Sequence, residues 1–558
     1  MLDEQERGHE RGHKRTVGSE ETLYGSNTSH TYSVERVHTG SSYKSNVSGH
    51  KFEEPSNLSD IALVNYPKTG NELNDVPAET RPSDALFPET DLNAGIIGWD
   101  SQDDPNNPQN FPPSRKWLLL GLISSITVVS PLASSMVAPG VPYIEQTFKN
   151  HNETLSTFTV TVFLLGIVFG PLFLSPLSEI YGRRPVLCAS NIVFCLFQIG
   201  CALAPNLTAL IIFRFFAGIG GSGCLALGGG VIADLFRREQ RGAASAAYTI
   251  GPLFGPVIGP ICGGFIAERV GWHWIFWAIF CAGTVTTIGI EIFNRETYPP
   301  VLIRRKTQKL RIELNRPDLM SCYDLGSDPS TRTVLINGLV RPLKMLFLSP
   351  IVFILSLYIC FAYSLLYLLF TTITPVFQEQ YGWSVGLCGL AYIGIGIGFF
   401  SGLALVTKIS DATVIRMTAD NNGIFEPEMR LPACLFFSLF IPITFFWYGW
   451  SADKHAHWII PVIGLIPFGF GMMGVFIPIQ TYIIDSFPLF AASATAAMTA
   501  SRSLFGAVLP LAAPSIYAKL GLGWGNSMLG FIAIAMIPAT GLIYKYGGRI
   551  RKRYPLNL

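Results

Sequence analysis

The chain's main pattern is a recurrence of apolar runs separated by short polar breaks. From Trp117 onward there are twelve: about 117–139, 155–177, 186–204, 208–235, 243–267, 272–293, 350–376, 384–407, 431–450, 458–486, 491–514 and 524–546. Each is near or above the ~20 residues that an α-helix needs to cross a bilayer. A polar stretch at 294–349 separates the sixth from the seventh. Residues 1–112 are rich in Ser, Thr, Asn, Glu and His and show no apolar periodicity. The pattern predicts an all-α integral membrane protein with 12 transmembrane helices in two six-helix halves. It places a disordered N-terminal tail at 1–112, the first half at 113–293, a central loop at 294–349, the second half at 350–547 and a C-terminus at 548–558.

Composition agrees. Of 558 residues, 49% are hydrophobic and only 14% charged, where soluble proteins carry about 25% charged residues. The net charge of +2 gives no reason to expect nucleic acid as a partner. The ten cysteines form no CxxC pair and lie mostly in apolar runs, so they read as small hydrophobes. The nine histidines show no metal-ligand spacing, and no Walker A sequence is present. The expectation is no metal, no cofactor and no enzyme activity, with any energy input coming from a gradient rather than from ATP.

Lys and Arg set the orientation. One set of loops carries Arg183, Arg184, Arg237, Arg238, Arg241, Lys408, Arg416 and Arg430. The central loop and C-terminus add many more, whereas the alternate loops hold only Lys149, Arg269, Lys454 and Lys519. Both termini and the central loop are therefore expected in the cytoplasm. No apolar core of a signal peptide lies near Met1. The sequons at Asn152 and Asn206 would face outward, close to the membrane.

Three stretches carry the chemistry. "GPLFGPVIGPICGG", 251–264, repeats Gly251, Gly255, Gly259 and Gly263 beside Pro252, Pro256 and Pro260. Steps of four residues advance about 400°, so the glycines form one slowly winding ridge. Neighbouring helices in a membrane can satisfy the carbonyls that proline frees. Two readings stand: an interface that moves, or a static packing face. "SPLSEIYGRRPVL", 175–187, holds Glu179, Gly182, Arg183 and Arg184 at fixed offsets in a cytoplasmic loop. Within the spans, Arg214 and Arg502 are costly unless each faces a cavity or a partner. Asp485 and Glu291 lie near span ends, where interfacial solvation accounts for them. Gln480 and Tyr482 lie deeper, and Tyr363 and Tyr367 are neighbours at i,i+4. These four are candidate cavity residues, with lipid-facing packing as the alternative reading of the tyrosines.

The loop at 175–187 resembles the signature loop of the major facilitator superfamily, with Leu177, Gly182, Arg183, Arg184 and Leu187 matching. Ser175, Glu179 and Ile180 depart from it. The Gly-Pro stretch resembles the fifth-span motif of that superfamily's antiporters. "LIIFRFFAGIGGSG", 210–223, resembles the fourth-span motif through Arg214, Gly218, Gly220 and Gly221. "WDSQDDPNNPQNFP" (99–112), "RETYPPVLIRRK" (295–306), "PEMRLP" (427–432), "YIIDSFPLFAASATAA" (482–497) and "RSLFGAVLPL" (502–511) are similar to the fungal twelve-span drug:proton antiporters. The resemblance implies the major facilitator fold and a plasma-membrane antiporter that exports amphipathic or cationic drugs as a monomer amid membrane lipids. A polyamine or other metabolite exporter is the alternative, and a non-transporting sensor a more distant one. By position it implies a latch between the halves in the outward-open state at Glu179, Gly182, Arg183 and Arg184, and proton coupling through Arg214; Arg502, singled out by its depth in span eleven and not by the resemblance, is the second candidate.

Overall fold

The computed structural model describes residues 87–237, 240–324, 331–487 and 491–554. Most of the expected tail, 1–86, lies outside the described residues.

Helices 1 to 10 are Pro113–Phe148, Glu153–Tyr181, Arg183–Ala202, Leu207–Leu235, Arg241–Arg269, His273–Phe293, Pro350–Tyr381, Val385–Asp420, Pro427–Asp453 and Ile459–Ser486. The last apolar stretch, Ser493–Arg553, has 61 residues. As one helix it would be about 90 Å long, three times a bilayer's hydrocarbon core. It is two helices. Gly521, at φ 70° and ψ 175°, breaks the chain into helix 11, which begins at Ala491, and helix 12, which ends at Arg553. Tyr517 and Asn526 hydrogen-bond across the turn at 3.1 Å. The twelve expected crossings are therefore present, six on either side of the central segment.

Local chemistry explains the ends. The side chains of Asn152, Asn206 and Ser349 accept N–H bonds from the first turns of helices 2, 4 and 7. The asparagines of both these sequons thus serve as N-caps. Gly182 and Gly382, both at positive φ, end helices 2 and 7.

The Gly-Pro ridge of helix 5 packs on helix 1. A β-carbon at Gly251 would lie 2.3 Å from Thr127, at Gly255 2.8 Å from Leu132, at Gly259 2.2 Å from Ser135 and at Gly263 1.9 Å from the Met136 carbonyl. Helix 1 belongs to the same half, so the ridge is a packing face within that half. The contact with the other half uses the adjoining stripe of helix 5. There Val257 meets Gly396, the Pro260 carbonyl meets Gly389, and Gly264 meets the Val385 carbonyl, all on helix 8. Helix 2 against helix 11 forms a second contact between the halves.

Residues 87–112, expected as part of the tail, are ordered. Strand β1 (Ile96–Ile97) pairs in parallel with β2 (Met320–Ser321) of the central segment. Ile97, Trp99, Ile303 and Leu319 form a small buried core. Lys306 Nζ donates to the Gly98 carbonyl at 2.7 Å and to Asp100 at 2.6 Å. The central segment is likewise built, with linker helices Pro299–Glu313 and Thr331–Leu348. Few apolar residues stand among many polar ones here, and burial of those few decides the outcome.

Candidate functional site

Two sites emerge, one at the end of the bundle where residues 105–111 lie beside Arg184 and one in its middle.

The first surrounds Gly182. The Glu296 carboxylate lies against it: a β-carbon at Gly182 would stand 2.1 Å from Oε2, and the φ of +105° also favours glycine. Glu296 Oε1 accepts N–H bonds from Arg183 (2.8 Å), Thr297 (3.0 Å) and Tyr298 (3.0 Å), and Oε2 accepts one from Arg184 (3.3 Å). A carboxylate therefore satisfies the open amides at the positive end of helix 3. The Arg183 guanidinium reaches Asp234, at the end of helix 4, at 3.3 Å. It also donates to Ser178 Oγ at 2.6 Å and lies 4.5 Å over the Tyr298 ring. Burial, then the charge of Glu179, pushes the Tyr298 hydroxyl's pKa above its ordinary value. Arg184 pairs with Glu291 at 2.8 Å on the exposed surface, consistent with interfacial solvation of that acid. A groove of about 770 Å³ opens beside these residues, lined by Phe111, Arg184, Glu291, Arg295 and Arg305.

Glu179, expected in the latch, is exposed and makes no side-chain hydrogen bond or ion pair among the described residues. The acid that holds Arg183 is Asp234, in the same half. The ion pairs of Arg183 and Arg184, to Asp234 and Glu291, stay within the first half. At this end the second linker helix lies between the halves, with Gly338 against Pro176 of helix 2 and further packing on helix 11. The second half repeats the ion pair: Arg430 at the start of helix 9 bonds Asp485 at the end of helix 10. Tyr482, expected to line the cavity, instead hydrogen-bonds the buried Glu428 at this same end, and Glu428 pairs with Arg551 at 2.8 Å. The hydroxyl is buried beside that ion pair. Gln480 is half-buried and makes no hydrogen bond among the described residues.

The second site is the seam between helices 1 and 7. Ser134 Oγ and Tyr367 OH share a 2.7 Å hydrogen bond across the two halves. Arg214 lies on the Ser134 side, 1% exposed. Its Nη2 donates to the carbonyls of Val160 (3.2 Å) and Ser134 (3.4 Å), and its Nε has no protein partner. The rings of Phe163 and Phe276 lie 5.6 and 5.9 Å away. On the other side, Tyr367 and Tyr363 are 5.2 Å apart between ring centroids. Arg502 lies over Tyr363 at 5.0 Å and over Phe476 at 4.8 Å, its buried Nε also unpartnered. Four of the residues singled out in the sequence thus meet in one layer. Ser134, Asp234 and Glu296 were missed, although Glu296 stands within the "RETYPP" stretch.

The Major Facilitator Superfamily model matches residues 123–510, most of the chain. The chain belongs to the major facilitator superfamily. It is 46% identical over 499 residues to the MFS-type transporter penM of Penicillium rubens, covering 89% of this chain and 97% of that one. It is 43% identical to the efflux pump radE of Floropilus chiversii, covering 87% and 92%. The inward-open, partially occluded xylose transporter XylE of E. coli superposes with a TM-score of 0.58 at 17% identity, covering 78% of this chain and 98% of that one. As a member of the superfamily this protein is a multi-pass membrane transporter, and the seam lies between the two halves characteristic of the major facilitator fold.

Proposed function

We propose that this transporter exports small organic molecules from the cytoplasm across the plasma membrane by alternating access, in exchange for protons. The seam carries the reading: a buried contact between halves, Ser134 to Tyr367, flanked by one arginine from each half. Rocking about the helix 5–helix 8 and helix 2–helix 11 contacts would open that contact to one side at a time. The excess of Lys and Arg on one set of loops supports a cytoplasmic side for both termini and the central segment. An arginine does not titrate in the working range, so the coupled proton must sit on another group, and a carboxylate paired with an arginine suits it. Asp234 and Asp485 are the candidates, each bonded to an arginine at the cytoplasmic end. A proton on either would weaken its ion pair, and a gradient acts only through such a difference between states. The polyamine alternative is disfavoured, because the seam offers a polycation arginines and no carboxylate.

Proteoliposomes with an imposed pH gradient test this. Uptake of an azole or another small apolar molecule that collapses with the gradient is the expected result. Gradient-driven uptake of spermidine alone would favour the polyamine reading, and movement of no solute would overturn the transport reading.

A further inference from the structure

Arginine keeps its charge in a protein, and a charge buried in a bilayer-spanning bundle demands a counter-charge or an exceptional set of acceptors. Neither is supplied at the seam. Arg214 has two carbonyls at 3.2 and 3.4 Å, aromatic faces and an unpartnered Nε at 1% exposure. Arg502 has two ring faces and an unpartnered Nε. Among the described residues no carboxylate hydrogen-bonds or pairs with either. Of the acids of the spans, Glu179, Asp234, Glu268, Glu291, Glu379 and Asp485 are each within two residues of a helix end, and Asp411, farther inside helix 8, is exposed.

The two guanidinium groups belong to one layer, joined by the run Ser134, Tyr367, Tyr363. The seam is therefore a positive site walled by aromatic rings, with two tyrosine hydroxyls that can donate hydrogen bonds. A cation entering it meets two like charges. An anion gains a charge-assisted bond at each open Nε, and its apolar body gains the faces of Phe163, Phe276 and Phe476.

Resting on the export reading above, we infer that the cargo is an organic anion: a small, largely aromatic or alicyclic body bearing one carboxylate or similarly acidic group, held between Arg214 and Arg502. The energetics agree in direction. A cell interior that is electrically negative drives an anion outward, and exchange for an entering proton moves both charges down the potential.

The test uses the purified full chain in proteoliposomes and three radiolabelled probes of one shape: 1-naphthaleneacetate, 1-naphthaleneacetamide and 1-naphthylethylammonium. Equilibrium exchange at neutral pH is the readout. The anion is expected to exchange at least tenfold faster than the cation and faster than the amide. Arg502→Gln lowers the anion-to-amide ratio about tenfold and Arg502→Lys restores it, with thermal unfolding of each variant confirming a folded chain. Equal exchange of the three probes, preference for the cation, or an unchanged ratio in Arg502→Gln would overturn the inference while leaving the export reading intact. Exchange of none, together with no gradient-driven uptake of an azole, would remove both.

Discussion

Removing the Glu296 carboxylate should loosen the start of helix 3 by an amount the geometry bounds. Its Oε1 takes three N–H bonds at 2.8–3.0 Å and its Oε2 takes one at 3.3 Å, in a side chain whose residue is only 7% exposed. In Glu296→Gln the amide oxygen can keep the three short bonds. The amide nitrogen then faces the Arg184 N–H, so one long bond and the charge are lost. A charged hydrogen bond contributes about 1.5–3 kcal/mol, and a charge at a helix N-terminus about 0.3–1 kcal/mol. The lost bond is long, so Glu296→Gln should cost about 1–2 kcal/mol. Glu296→Ala strips all four partners, and because such losses are not additive roughly 3–4 kcal/mol is the expected cost. At 1.4 kcal/mol per tenfold, amide exchange at Arg183 and Arg184 should quicken about 5–30-fold in the first variant and over 100-fold in the second. Hydrogen–deuterium exchange of the peptide spanning 181–190 reads this directly. Less than a threefold change in Glu296→Ala would show that the carboxylate does not hold the helix start, and the account of Gly182 would fail with it.

Three further outcomes follow from other contacts. Gly263→Ala drives a β-carbon to 1.9 Å from the Met136 carbonyl, whereas Gly229 has nothing within 4 Å; the first variant should lose most folded, monodisperse protein by size exclusion and Gly229→Ala should lose none. Asp234→Asn leaves the Arg183 guanidinium, 12% exposed, without its carboxylate at a cost of roughly 3–5 kcal/mol; its thermal inactivation should accelerate, and an unchanged rate would count against a structural ion pair. Burial pushes the Cys322 thiol up to about 11. The folded state therefore disfavours the reactive thiolate, so maleimide labelling of Cys322 should be slow at pH 8 and rise about tenfold per pH unit to pH 10.

The spans were legible because a helix in lipid satisfies its own backbone and needs only a long enough apolar run. Arg214 and Arg502 were legible for the converse reason, as charges where lipid tolerates few. What joins distant stretches was not. The Arg183 and Glu296 positions are 113 residues apart, and nothing in "RETYPP" announces that its acid caps another helix. The period of the Gly-Pro ridge gave its smooth face but not its neighbour, so helix 1 and helix 8 could be told apart only by packing. Glu179 fitted the motif's spacing, yet it is Asp234, at the end of helix 4, that meets the arginine. Residues 87–112 have a tail-like composition, and Ile97 and Trp99 matter only once Ile303 and Leu319 close over them.

The pairing of Ile96 with Met320 also sets an order of events during synthesis. A ribosome adding about 5–20 residues per second takes roughly 10–45 s to make the intervening chain. The amino-terminal clasp therefore has no partner strand while the first six helices are being inserted, and their insertion must proceed without it. It can shut only after the linker emerges, so a nascent chain arrested before residue 320 should leave the region around Trp99 open to protease, and one arrested well beyond it should not.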